Sequence, residues 1–299
     1  MKRDQINRRC RFRWSLFSLS AALFFVALFA DEAASNELQT APLRGVDTLS
    51  VEQRRAFLRG SLSDWRLDTD SYRGVKPPSI QKSYPADATR IKLVAPDNLN
   101  IHTTDVKQAI GSRRSRRSFS GQMLTLEELS YLLWATQGIS KTAKDENNQI
   151  VAHYRTVPSG GGRHPFETYL IVNRVQDVAP GLYRYLAVEH QLLLILQDAR
   201  IGDRLNAACY AQNFIGDSSV TFVWTAVPYR TEWKYGSIAQ KLVAIEAGHI
   251  CQNLYLAAES VRLGVCASLG YNQALLDKLL GVDGKDEFAI YLAAVGKPQ

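Results

Sequence analysis

Three groups of residues have the types and spacing to do chemistry. Arg113-Arg-Ser-Arg-Arg117 puts four guanidinium groups and a hydroxyl within five residues. A guanidinium binds phosphate through a planar fork that an ammonium cannot reproduce. An arginine run can also be a solvated face or a processing site, but Phe119 follows two residues after it, an apolar anchor that a solvent-facing tail does not need. The second group is Pro158-Ser-Gly-Gly-Gly162, inside a stretch from Arg155 that reaches Pro165. Glycine loses more conformational entropy on folding than any other residue, so three in a row either turn the chain tightly through positive φ or let a flat ligand approach the backbone. The third is Lys234-Tyr235, two titratable types suited to proton transfer, whose other reading is a surface lysine and a core tyrosine. Glu246 and His249, one helical turn apart, are read as a hydrogen-bonded structural pair. His164 is read as a brace for the glycine loop. The remaining histidines, His102, His153 and His190, are scattered and give no zinc spacing.

Regular elements must hold these groups. Asp105 predicts the cap of a helix through Ile110 that delivers the arginine run. Thr125-Leu-Glu-Glu128 is a capping box, and the helix behind it runs through Leu129, Leu132, Leu133 and Trp134 to a stop at Gly138. The polar residues 141–149 read as a mobile loop. Strands are predicted over residues 168–173, 181–185, 191–196, 220–227 and 288–295. A long helix is predicted over 237–263, with Ile238, Leu242, Ile245, His249, Gln252 and Leu256 on one stripe and Ala244, Ala247, Gly248, Cys251 and Ala258 opposite. With few charges on any face it should be buried, and its second, small-residue side is expected to meet another subunit. Residues 31–100, with Lys76-Pro-Pro-Ser79, Tyr84-Pro85 and Ala95-Pro96, read as an extended N-terminal arm around a core spanning 101–299.

The chain has 299 residues, 46% apolar and 22% charged, enough for a sizeable core. Its net charge is +7, of which Lys2, Arg3, Arg8, Arg9, Arg11 and Arg13 less Asp4 supply +5, leaving +2 for residues 31–299. That removes most of the electrostatic case for a nucleic-acid partner. The same N-terminal charges precede an apolar run from Trp14 to Ala30, the form of an export signal or of an N-terminal membrane anchor over residues 1–30. Beyond Cys10, the three cysteines Cys209, Cys251 and Cys266 allow at most one internal disulfide, and Cys251 and Cys266 sit in apolar surroundings that suit small buried hydrophobes.

Taken in order, the blocks resemble the flavin-dependent nitroreductase family. They are Arg113-Arg-Ser-x-Arg117-x-Phe119, Leu124-Thr-x-Glu-Glu-Leu129, Arg155-x-x-Pro-Ser-Gly-Gly-x-x-x-Pro165, Gly181-Leu-Tyr183, Trp233-Lys-Tyr-Gly236, Glu246-Ala-Gly-His249, Gln252-Asn253 and Leu263-Gly-Val-Cys266. The likeness is strongest to the branch that includes the azoline-oxidising dehydrogenases of modified-peptide biosynthesis, and covers roughly residues 70–299. It implies an α+β fold with an antiparallel-dominated sheet flanked by helices, a homodimer with extensively shared helices and a long buried central helix, and FMN in the interface. Carried over, Arg113, Arg114, Ser115 and Arg117 would hold the FMN phosphate and ribityl chain. Pro158, Ser159, Gly160, Gly161 and Gly162 would line the ring, with Gly162 where some members place an asparagine. Asn253, Gly264, Val265 and Cys266 would complete the pocket, and Lys297 would be the basic side chain where longer members continue towards the phosphate. Lys234 and Tyr235 match a catalytic Lys-Tyr pair of this branch. Ser237 stands where the branch usually has an arginine.

The expectation is an exported FMN-dependent oxidoreductase, periplasmic or anchored on the outer face of the inner membrane. It would transfer hydride through flavin N5 and dehydrogenate a small or peptide-derived substrate, with its electron donor or acceptor open. The alternative is a flavin-binding or assembly protein of the same fold without turnover.

Overall fold

The computed structural model describes residues 50–60 and 68–299; the segment 1–30 read as an export signal or anchor lies outside the described residues. The chain divides into two compact units, residues 1–55 and 56–299. Helix α1, Val51–Arg59, has no buried residue.

The second unit is organised on a seven-stranded sheet. In spatial order the strands are β1 (Arg90–Lys92), β6 (Gln191–Gln197), β5 (Gly181–Leu186), β4 (Phe166–Val172), β7 (Val220–Ala226), β9 (Phe288–Gly296) and β8 (Gly264–Ser268). Every neighbouring pair is antiparallel. All seven residues of β4 and of β7 are buried. Alternation along them feeds two cores: Leu170, Val172, Phe222 and Trp224 point to one face, Tyr169, Ile171 and Val223 to the other. A sheet covered on both faces needs apolar residues at nearly every central position, and each full burial of a large side chain stabilises by about 1.5–3 kcal/mol.

Helix α2, Val106–Ser112, starts at Asp105, whose carboxylate accepts from Gln108 N. Helices α3 (Leu126–Gln137) and α7 (Ala239–Ser260) cover the first face. The second face carries α4 (Ile201–Ala208), α5 (Asn213–Gly216) and α8 (Gln273–Leu280). The capping box of α3 closes as read, with Thr125 N donating to Glu128 at 2.7 Å and Glu128 N to Thr125 Oγ1 at 3.0 Å. At Gly138 a Cβ would lie 2.5 Å from Trp134 Cδ1, so the helix ends where only glycine fits against its own last turn.

Two expectations change. The residues read as a mobile loop form a hairpin, β2 (Ile139–Lys144) and β3 (Ile150–Arg155), whose turn is held by Asp145 accepting from Asn147 N and Gln149 N. Its strands are largely exposed on both faces, so no apolar alternation marks them and backbone pairing carries the hairpin. The long helix also buries neither of the two stripes read from its sequence as a whole. Val243, Ala247, Ile250, Cys251, Leu254 and Ala258 are buried against the sheet, whereas Ala244, Ile245, at 48% exposure, Gly248, His249 and Gln252 are open. The sheet presents Phe222 and Trp224 on that face, and the small residues among the buried set let the helix approach such bulk.

Candidate active site

The arginine segment lies along β8. Arg116 N donates to Val265 O at 2.9 Å, Ser115 bridges to Val265, and Ser120 N donates to Lys297 O at 2.8 Å. Glycines on the sheet make this approach possible: a Cβ at Gly296 would sit 2.9 Å from the Phe119 ring, and one at Gly264 would sit 3.1 Å from Arg116. Phe119 is thus the anchor its position suggested. Side chains alternate along the segment. Arg113 stacks over the ring of Tyr255 at 5.3 Å, Ser115 Oγ is 3.1 Å from Tyr255 OH, and Arg117 lies 5.9 Å from the Phe214 ring. Arg116 turns the other way, to Glu259 at 3.5 Å. Arg114 donates to the carbonyls of Gly111 and Arg113. Among the described residues Arg113, Arg114 and Arg117 form no ion pair with a carboxylate, so their forks remain available to an anion.

Tyr255 is the member that sequence reasoning missed. Its hydroxyl accepts from Ala267 N at 2.9 Å and meets Ser115, tying β8 to the arginine segment. An aromatic residue on an apolar helix reads as core, and the only signal was its place two residues after Asn253. Asn253 donates to Ala135 O at 2.9 Å, fastening α7 to the end of α3. Gly264, Val265 and Cys266 are buried beside the segment. The ammonium of Lys297 goes to Glu128 at 3.4 Å, which commits it to the cap of α3. Cys209, Cys251 and Cys266 are free and buried, and burial pushes the Cys209 and Cys251 thiols up to about 12. They are small core residues.

The glycine loop forms the other half of the site. Gly161 and Gly162 have φ of 59° and 66°, which favours glycine over any other residue. Glu246 Oε1 accepts from Gly160 N at 2.7 Å, and Ser159 Oγ accepts from His164 N at 2.8 Å. Glu246 therefore serves the loop and not His249, which is exposed one turn further along α7. Helix α6, Tyr229–Tyr235, brings Lys234 and Tyr235 to the same place. A Cβ at Gly161 would lie 2.8 Å from Tyr235 OH and 3.0 Å from Lys234 Nζ. The space beside Gly161 is thus filled by that pair. At Gly162 a Cβ would meet nothing within 4 Å, and the backbone stands open. Pro158 is exposed beside it. A cleft of about 830 Å³ runs along β3 and this loop, with Pro77 to Ile80 as its other wall.

Beneath the loop lies a buried set of charges. Arg155 donates to Gln137 and, at 2.9 Å, to Ile80 O, while Arg230 pairs with Glu167. Burial, then the neighbouring Arg155, Arg163 and Arg230, pushes His164 down to about 3. The folded protein therefore takes a proton on His164 only near that value, whereas the unfolded chain takes it near 6.5. This depressed group makes stability fall as pH drops through that window, by on the order of a few kcal/mol in full. His164→Asn, tolerated at its φ of 49°, should flatten the loss of Tm between pH 7.5 and 5. Equal slopes for the two proteins would show that another group sets the acid limit. Burial raises Tyr235 first, Glu246 adds to that, and Arg163 opposes it. Burial also raises Glu246, against the Gly160 N–H.

The two halves meet α7 at Tyr255 and Glu246, nine residues apart, or roughly 14 Å along a helix. Residues 110–297, spanning the arginine segment, the loop and β8, match the model of the nitroreductase family. The chain belongs to the nitroreductase family. MJ1384 of Methanocaldococcus jannaschii, a protein named for the nitroreductases, is 31% identical over 206 residues, 67% of this chain and 98% of that one. A crystal structure from Ralstonia eutropha JMP134, also named for the nitroreductases, superposes with a TM-score of 0.58 at 26% identity, covering 75% of this chain and 98% of the other. The trifolitoxin-processing protein TfxB of Rhizobium leguminosarum bv. trifolii is 26% identical over 140 residues, 43% of this chain and 36% of that protein. As a nitroreductase-family chain it has the mixed α+β fold of that family and is an oxidoreductase.

Proposed function

We propose that this oxidoreductase is an FMN enzyme, a homodimer that dehydrogenates a small or peptide-derived substrate by hydride transfer. The observation that carries it is the set of guanidinium forks of Arg113 and Arg117, set over aromatic rings and, among the described residues, paired with no carboxylate, beside Ser115. That donor set suits a phosphate monoester, and the open backbone at Gly162 suits the edge of a flat ring. Bound FMN supplies a two-electron carrier that takes hydride at N5. The chain's own part is to grip the phosphate with Arg113 and Arg117, to orient Ser115 through Tyr255, and to hold a proton at the Tyr235 hydroxyl or Lys234 ammonium. The cleft along β3 has the volume for a ligand well beyond a few atoms.

Dimerisation is supported by the open stripe of α7, where Ile245, His249 and Gln252 face outward on the longest helix. The likeness to a trifolitoxin-processing protein supports a peptide-derived substrate. The basic and apolar residues 1–30 support export, which would favour a quinone, a protein or oxygen as electron acceptor over a soluble nicotinamide. Among the described residues no helix is long and apolar enough to cross a membrane.

The test is anaerobic reduction of the purified protein, followed at the flavin band, with NADH, NADPH and then azoline-containing peptides. Bleaching by a peptide, with the oxidised heterocycle as product, is the expected result. Protein that carries no flavin band and takes up no FMN would overturn the reading.

A further inference from the structure

Helix α6 is seven residues long and has no side-chain cap at its N-terminus. A helix so short does not hold its own position in water, so tertiary contacts must aim Lys234 and Tyr235 at Gly161. Arg163, the residue directly after the glycine triplet, makes those contacts. It is 9% exposed. Its Nε donates to Arg230 O at 3.0 Å, its Nη2 donates to Pro78 O at 3.2 Å, and its guanidinium lies 4.7 Å from the centre of the Trp233 ring. Arg230 and Trp233 both belong to α6, and Trp233 immediately precedes the Lys-Tyr pair. The grip is returned: Arg230 Nη1 donates to His164 O at 3.3 Å, next to Arg163. Loop and helix are therefore interlocked by two arginines, each bonded to the other segment's backbone.

We propose that Arg163 is the positioning residue of the active site, holding α6 against the glycine loop so that Lys234 and Tyr235 close over Gly161. The proposal rests on the FMN reading for the reaction, but not for the geometry. A planar fork is required, because the carbonyls of Arg230 and Pro78 must be met while one face stays on Trp233. A lysine can supply the charge without that geometry. The charged and titratable groups facing Tyr235 are Arg163 from the loop, Glu246 from α7 and the adjacent Lys234, whose ammonium is 5.7 Å from the Tyr235 ring.

The test compares Arg163→Met, Arg163→Lys and Trp233→Leu with the parent protein, full chain, with and without FMN. In FMN-free protein carrying ring-labelled tyrosine, the Tyr235 resonance is identified by its loss in Tyr235→Phe and titrated with pH. In Arg163→Met it should titrate at higher pH than in the parent, because Glu246 remains while the opposing cation is gone. In the loaded protein kcat should fall about 10–100-fold, as expected for a displaced reacting group, with flavin retained and KM little changed. Arg163→Lys should restore the titration but not kcat. A fall in Tm alone, with Tyr235 titrating as in the parent and kcat kept, would overturn the proposal, as would full rescue of kcat by lysine. Should Arg163→Met fail to fold, Trp233→Leu decides: kcat lost with the Tyr235 titration unmoved supports the clamp, and kcat retained overturns it. A protein that never binds FMN would defeat the proposed function and leave this question to the FMN-free chemical shift of the Tyr235 resonance, which should differ from the parent's in Arg163→Met and Arg163→Lys alike; a parent-like shift in Arg163→Lys would overturn the clamp.

Discussion

Arg113 and Arg117 replaced together by alanine should yield a folded protein that retains no flavin through gel filtration. Each fork can offer charge-assisted hydrogen bonds worth about 1.5–3 kcal/mol, so losing two weakens binding by about 3–6 kcal/mol, roughly a hundredfold to ten-thousandfold in Kd. Among the described residues neither side chain is spent on a carboxylate, and stability should change little. Their partners are the Tyr255 and Phe214 rings. Arg116→Ala is the matched control. It removes one charge from the same segment, as either single variant does, but that arginine is turned to Glu259, so flavin should be kept where Arg113→Ala or Arg117→Ala alone weakens it. Titration of each apoprotein with FMN, followed by quenching of flavin fluorescence, measures the difference. If Arg116→Ala lost flavin as fully as the double variant, net charge and not the forks would be holding the phosphate.

The second large effect is expected from Lys234→Met combined with Tyr235→Phe. Both polar ends converge beside Gly161, within 3.0 Å of the point its Cβ would occupy, and both sit on the last turn of α6. Positioned proton transfer contributes about a hundredfold to ten-thousandfold to rate. Turnover of an azoline substrate should drop by that factor while the flavin remains bound, since the phosphate grip is assigned to Arg113 and Arg117 on a separate segment. Stopped-flow reduction in single turnover separates chemistry from product release. The single variants should each lose nearly as much as the pair, because the two act on one proton. Parent-like turnover in the double variant would end the assignment of a proton-transfer role to this pair.

Much of the fold was legible in local residues. Thr125 and Glu128 announce a helix start because the reciprocal bonds they form are local in the chain, and Asp105 does the same for α2. The five strands named from their apolar runs are all present, since β4 and β7 are buried on both faces and nearly every position must be apolar or small, the buried Glu167 being matched by Arg230. Helices α4 and α8 are amphipathic but only eight residues each, too short for their pattern to stand out, and β8 looks like a stretch of small residues until β9 pairs with it. The hairpin of β2 and β3 escaped notice because its side chains are largely solvated and its stability lies in backbone pairing.

The chemistry divides along the same line. Residue types and order were enough to single out the arginine forks, the glycine loop and the Lys-Tyr pair, because phosphate recognition, positive φ and proton transfer each demand particular side chains or none. Which of those residues face one another was decided only by the folded chain. Glu246 left His249 for Gly160, Lys297 went to Glu128, Tyr255 joined the arginine segment, and Arg163 reached the helix that carries Lys234 and Tyr235. The reason is physical: a side chain's chemical capacity is set by its own atoms, whereas its partner is whatever group, often far along the chain, packing brings within 3 Å.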